Sequence, residues 1–183
     1  MRICALLLLA VSLCACVSVG ERQAHRYYVL EARPAAQGHP AAVEVAPTMT
    51  AAFYDTQDIV FSREPGVRAY YQFNHWTERP NRAIHAQLVA RIGSASGSPY
   101  ILVTRVDEIY HDAAVAPGLA RITLAAELVD RARHATVVRH TFMASAPARS
   151  YDAGGAVQGC SDALDHILAD LAAWLDAETK APR

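Results

Sequence analysis

The sequence predicts an α+β domain: an antiparallel or mixed β-sheet with two amphipathic helices packed on one face. Three observations carry this. Along Arg121 to Asp130, the apolar Ile122, Leu124, Ala126 and Leu128 alternate with Arg121, Thr123 and Glu127, the period of two that a half-buried strand needs. Val157, Cys160, Leu164, Ile167, Leu168, Leu171 and Leu175 recur at three and four, with Asp162, Asp165 and Asp170 opposite, which is the stripe of a long amphipathic helix. Pro80, followed by Ile84, Leu88 and Ile92 and stopped by Gly93, marks a shorter one. The helices follow groups of strands rather than alternating with them singly, which argues against a doubly wound parallel sheet.

Taken in order, the mature chain opens on the β-prone Tyr27 to Leu30, followed by a Pro- and Gly-containing loop at Pro34, Gly38 and Pro40. Ala42 to Val45 is a short edge or core strand stopped by Pro47, and the stretch to Tyr54 and Asp55 is irregular. Ile59 to Arg63 and Arg68 to Phe73 flank Pro65-Gly66, so they read as a hairpin. Ser94 to Pro99 is a loop by composition. Tyr100 to Tyr110, Arg121 to Asp130 and Thr136 to Ala144 form a three-stranded meander with one wet face. Gly154-Gly155 reads as a break before the long helix, and Ser161-Asp162 as a cap or first-turn pair. The total is about six strands and two helices.

The N-terminus is of a different character. Ile3 to Ala15 is an apolar run of 13 residues behind a single Arg2. That suits a secretory leader and is too short for the roughly 30 Å hydrocarbon core of a bilayer. Leu13-Cys14-Ala15-Cys16 has the pattern of a lipobox: a small residue precedes Cys16, and Leu13 spoils an ordinary A-x-A cleavage site. Cys16 is therefore the expected lipid-attachment residue. The expected organisation is a signal peptide over 1–15, a lipidated tether over 16–25, one domain over 26–178 and a tail over 179–183. Loss of Arg2 with the leader leaves 16 basic against 18 acidic residues, so no basic face for nucleic acid is offered. Cys4, Cys14 and Cys16 belong to the leader or its end, leaving Cys160 on the apolar helical stripe as a buried structural thiol.

Catalysis has no sequence support. His25, His39, His75, His85, His111, His134, His140 and His166 are scattered, without an H-x-x-x-H pair or cysteines at ligand spacing. His134 and His140 are the one pair that a hairpin could bring together. There is no G-x-S-x-G, no P-loop and no G-x-G-x-x-G. No catalytic residue, metal site or cofactor is expected. Tyr70, Tyr71, Phe73 and Trp76 cluster before the first helix, either as core or as a contact patch. Trp76 is read as closing the core, and Trp174 as packing partly on the sheet.

With these residues laid out, the chain resembles the ABC-type transport auxiliary lipoproteins, the group that includes PqiC-like proteins associated with Mce-type intermembrane transport. The resemblance rests on the lipobox at Cys16, Tyr27-Tyr28-Val29-Leu30 and Val43-Glu44-Val45-Ala46-Pro47. It extends to Ile59-Val60-Phe61, to Tyr71 through Trp76 as a Y-x-x-x-x-W junction running to Pro80, to Thr141-Phe142-Met143-Ala144, and to the closing Ala163 to Leu175 helix. It implies a periplasmic domain lipid-anchored to the outer membrane, a non-catalytic partner of an Mce-domain protein and of the ABC permease and ATPase that move lipid. Val17 after Cys16, where an aspartate would signal inner-membrane retention, agrees with the outer membrane. The alternative is a lipid-binding or barrel-assembly lipoprotein resembling the plugs of lipopolysaccharide-export barrels. Homo-oligomerisation is left open, as are the lipid moved and its direction.

Overall fold

A computed structural model describes residues 23–33 and 43–180. The leader, Cys16, most of the tether, the Pro34 to Pro40 loop with His39, and the last three residues lie outside the described part. The strands are β1 (Arg26–Tyr28), β2 (Val43–Val45), β3 (Met49–Thr50), β4 (Asp58–Ser62), β5 (Ala69–Trp76), β6 (Tyr100–Asp112), β7 (Leu119–Asp130) and β8 (Ala135–Pro147). The helices are α1 (Pro80–Ile92) and α2 (Ala153–Lys180). They form one mixed sheet of order β1-β5-β4-β6-β7-β8 with two helices packed on it.

The organising strand is β6. One of its sides carries β7 in antiparallel register from Tyr100↔Asp130 to Asp112↔Leu119. The other is shared by three short parallel strands laid end to end: β2 against Tyr100–Leu102, β3 against Arg105 and Val106, and β4 against His111 and Asp112. A bulge between Val106 and Glu108 inserts one extra residue. Because side chains alternate faces, one insertion flips the parity. Leu102, Thr104 and Val106 are buried before the bulge, and Ile109 and His111 after it. The Thr104 hydroxyl, which would be costly to bury alone, shares a 2.8 Å hydrogen bond with Thr48.

On β7 the alternation is as expected: Ala120, Ile122, Leu124, Ala126 and Leu128 are all at most 1% exposed. Against this face lies α2, whose Leu164, Ile167, Leu168 and Leu171 are fully buried. Each large apolar side chain so covered contributes about 1.5–3 kcal/mol of transfer free energy. The shorter helix begins with Pro80 at its first position, where a missing N–H costs nothing, and buries Ala83, Ile84, Leu88 and Ile92. It ends at Gly93, whose φ of 72° admits the N–H to the Val89 carbonyl at 2.9 Å. An Arg91–Asp165 ion pair joins the two helices, and Gln87 ties α1 to the backbone of Leu30 and Ala32.

Three expectations are corrected. Among the described residues there are eight strands rather than about six; β3, only two residues long, gives no periodicity to read. Gly154-Gly155 is not a break, because α2 starts at Ala153 and both glycines lie in its first turn. A Cβ at Gly155 would strike the backbone of Ser150, so glycine there serves a tight entry rather than a stop. Ser161-Asp162 is consequently mid-helix; the cap is Asp152, whose Oδ1 accepts the Gly155 N–H at 2.7 Å.

Candidate functional site

Of the side chains singled out in the sequence, Cys16 and His39 lie outside the described residues, and the aromatic ones and Cys160 are placed as follows. Trp76 is 3% exposed at the end of β5 and closes the core. Its neighbours divide: Tyr70 is exposed and stacks on Phe53, whereas Tyr71 is half-buried. Trp174 meets Phe142 edge-on at 5.8 Å and so packs partly on the sheet. Cys160 is buried, and that burial pushes its thiol up to about 12, far from a nucleophile's range. His134 and His140 do not meet. His134 sits in the β7–β8 turn with φ of 50°, and His140 points along β8 to Phe142 and Trp174.

The histidines that do meet are His25 and His75, fifty positions apart in sequence. Their rings stack with 5.0 Å between centroids and share a 2.8 Å hydrogen bond. His75 Nδ1 lies 2.9 Å from Asp58 Oδ1, and Thr56 Oγ1 donates to the other carboxylate oxygen. An acid–imidazole pair of this kind serves catalysis when the far nitrogen reaches a hydroxyl or thiol. Here it reaches a second imidazole, in line with a structural clasp between β1 and β5. Among the described residues no group of three or more His, Cys, Asp or Glu side chains is placed to hold a metal ion.

Another histidine was grouped with the scattered ones in the sequence because nothing local marks it. His111, 1% exposed at the end of β6, places Nε2 2.9 Å from the Pro117 carbonyl and Nδ1 2.7 Å from the Tyr71 hydroxyl. A carbonyl only accepts, so Nε2 carries the hydrogen, and Nδ1 pairs with the Tyr71 O–H. Burial pushes the Tyr71 phenol up to about 12, which keeps that proton in place. Beside this pair is a cleft of about 310 Å³ between β1, β5 and the start of α2, lined by Gln23, Ala24, Arg26, Tyr28, Tyr71 and Tyr151 among others. Gln23, the first described residue, lies here.

The other broad feature is the outer side of β8, which no strand pairs among the described residues. This strand ends the sheet order, runs for 13 residues and carries Met143 at 77% exposure. A long open edge presents unpaired N–H and C=O groups that another strand can complete.

The family model described as ABC-type transport auxiliary lipoprotein component matches residues 28–172, from β1 into α2. A crystal structure of a Xanthomonas campestris protein under the family model DUF330 is similar with a TM-score of 0.75 at 20% identity, covering 85% of this chain and 97% of that one. The crystal structure of an uncharacterized protein is similar with a TM-score of 0.68 at 13% identity, covering 84% and 99%. At these identities the likeness shows the fold alone. No curated protein matches the chain.

Proposed function

Since the chain belongs to the ABC-type transport auxiliary lipoprotein component family, we propose that it is a non-catalytic docking subunit, held on the periplasmic face of the outer membrane by acylated Cys16. Its partner in this reading is the Mce-domain protein of an intermembrane lipid transport system, together with that system's ABC permease and ATPase. The observation that carries the reading is the family match, which takes in β2 to β8, the end of β1, all of α1 and most of α2. The lipobox Leu13-Cys14-Ala15-Cys16 supports the anchor. Each buried CH₂ of an acyl chain contributes about 0.8 kcal/mol, so the several chains of a bacterial lipoprotein hold a domain stably where one would not.

The open edge of β8 supports docking by strand addition. Adjacent residues of a strand direct their N–H groups to opposite sides, so of His140 and Thr141 one faces β7 and the other the free edge. Of His140→Pro and Thr141→Pro, the variant that keeps the native melting temperature removes an edge donor. That variant is expected to lose co-purification with the Mce-domain protein from detergent-solubilised membranes. Full recovery of the partner with it would refute edge docking, and absence of any transporter subunit alongside the unmodified protein would refute the role itself.

A further inference from the structure

The turn between β6 and β7 runs Ala113-Ala114-Val115-Ala116-Pro117-Gly118, followed by Leu119 and Ala120, eight residues without one polar side chain. Hairpin tips ordinarily carry Asn, Asp, Gly and charge, because they stand in water. The opposite hairpin of this sheet obeys that rule with Arg131-Ala132-Arg133-His134. At the apolar tip Val115 is 78% exposed, and Leu119 stands open beside it.

The tip is held, not loose. His111 donates to the Pro117 carbonyl, Tyr151 Oη donates to the Ala113 carbonyl at 2.7 Å, and the Ala148 N–H donates to the Gly118 carbonyl at 3.0 Å. Gly118, with φ of 91°, lies so close to the His111 ring that a Cβ would collide with it. A fixed loop presenting valine and leucine to solvent has no core reason to do so.

The position of the N-terminal chain identifies what it faces. Strand β5 runs away from this end of the sheet, and β1 is parallel to it, so the residues before Arg26 run back toward the tip. Gln23 and Ala24 line the same cleft as Tyr151, whose hydroxyl holds Ala113. From Cys16 to Gln23 is seven residues, at most about 25 Å of chain. Gln23, at the end of the sheet that carries the apolar tip, is therefore leashed within that distance of the membrane that would hold Cys16. The charged residues that line the tip's surface, Asp112 and Arg121, are paired with each other at 2.8 Å, so attraction is left to the apolar groups.

We propose that the Ala113–Leu119 tip is a second membrane contact, seated in the lipid surface beside the acyl chains of Cys16 and standing the sheet upright with its β7–β8 turn remote from the bilayer. This rests on the anchored reading above. The β7 strand separates the two turns by about 37 Å at 3.4 Å per residue, so their environments are distinct.

The test uses the full lipidated protein in vesicles of phosphatidylethanolamine and phosphatidylglycerol, nitroxide-labelled at Val115→Cys or, separately, at Ala132→Cys. Cys160 is buried and Cys16 is blocked by lipid, so neither competes for label. Flotation reports the anchor, and collision of the label with oxygen and with a water-soluble nickel chelate reports its surroundings. The expected result is flotation of both variants, with nickel collisions at position 115 several-fold below those at 132 and oxygen collisions above them. Flotation with position 115 as open to nickel as 132 would overturn the second contact while leaving the anchor standing. A 115 label shielded from both reagents would mean that protein covers the tip, which also overturns it. Failure to float would overturn the anchor and the tip contact with it.

Discussion

Replacing Asp152 by alanine tests where α2 begins. Oδ1 of Asp152 accepts from the Gly155 N–H at 2.7 Å and from the Ser150 hydroxyl at 2.8 Å, and the Asp152 carbonyl accepts the Ala156 N–H. Loss of such a cap costs about 1 kcal/mol, and removal of a negative charge from the helix N-terminus adds about 0.3–1 kcal/mol. Asp152→Ala is thus expected to lose about 1–2 kcal/mol at pH 7, or about 2–8 °C in Tm for a domain of this size. The pH dependence has a definite sign. The Gly155 N–H, then the Ser150 hydroxyl, hold the Asp152 carboxyl below the ordinary aspartate value. Its folded pKa is depressed, so its stabilisation is complete above about pH 4, the unfolded value, and disappears as pH falls through the lower folded value. Urea melts of both proteins from pH 7 to pH 2 should therefore converge only below pH 4. Asp152→Asn, which keeps a cap acceptor but no charge, should fall between them with a smaller pH dependence. A loss at pH 7 below about 0.3 kcal/mol, under the range for a cap, or a gap that persists unchanged at pH 2, would refute Asp152 as the charged cap.

Two further outcomes follow from the packing of α2. Gly159 lets the helix approach the sheet; a Cβ there would lie 2.9 Å from the Ala120 Cβ and 3.0 Å from the Pro147 carbonyl oxygen, so Gly159→Leu is expected to lose about 2–3 kcal/mol by overpacking in urea denaturation. Cys160, buried with its thiol raised to about 12, should resist an aromatic disulfide reagent at pH 8 in the native protein of residues 17–183 and react at once in urea; native reactivity would show the helix face open.

The sequence made legible whatever repeats along a single element. The period of two in β7 and the apolar stripe of α2 each report one face, and Pro80 and Gly93 bound α1 through their own backbone chemistry. The arrangement of β2, β3 and β4 along one side of β6 was not legible, because pairing between distant parallel strands leaves no local period. The start of α2 was misread for a physical reason: Gly154 and Gly155 look like a breaker, yet the cap at Asp152 and the close contact with Ser150 that requires Gly155 arise from the turn before the helix. The His25–His75–Asp58 clasp and the His111 support of the apolar tip join residues that only the folded sheet brings together. The apolar tip itself was in plain view, but a run of Ala, Val, Pro and Gly reads as an ordinary turn until its exposure is known.

In the proposed function, acylated Cys16 attaches the domain to the membrane on which it meets its partner. Separation of inner and outer membranes on a density gradient, with radiolabelled palmitate supplied to the cells, tests this directly. The unmodified protein is expected to carry label and to band with the outer membrane, and Cys16→Ala is expected to lose the label and appear in the soluble periplasmic fraction. A Cys16→Ala protein that remained labelled and banded with the outer membrane would contradict it.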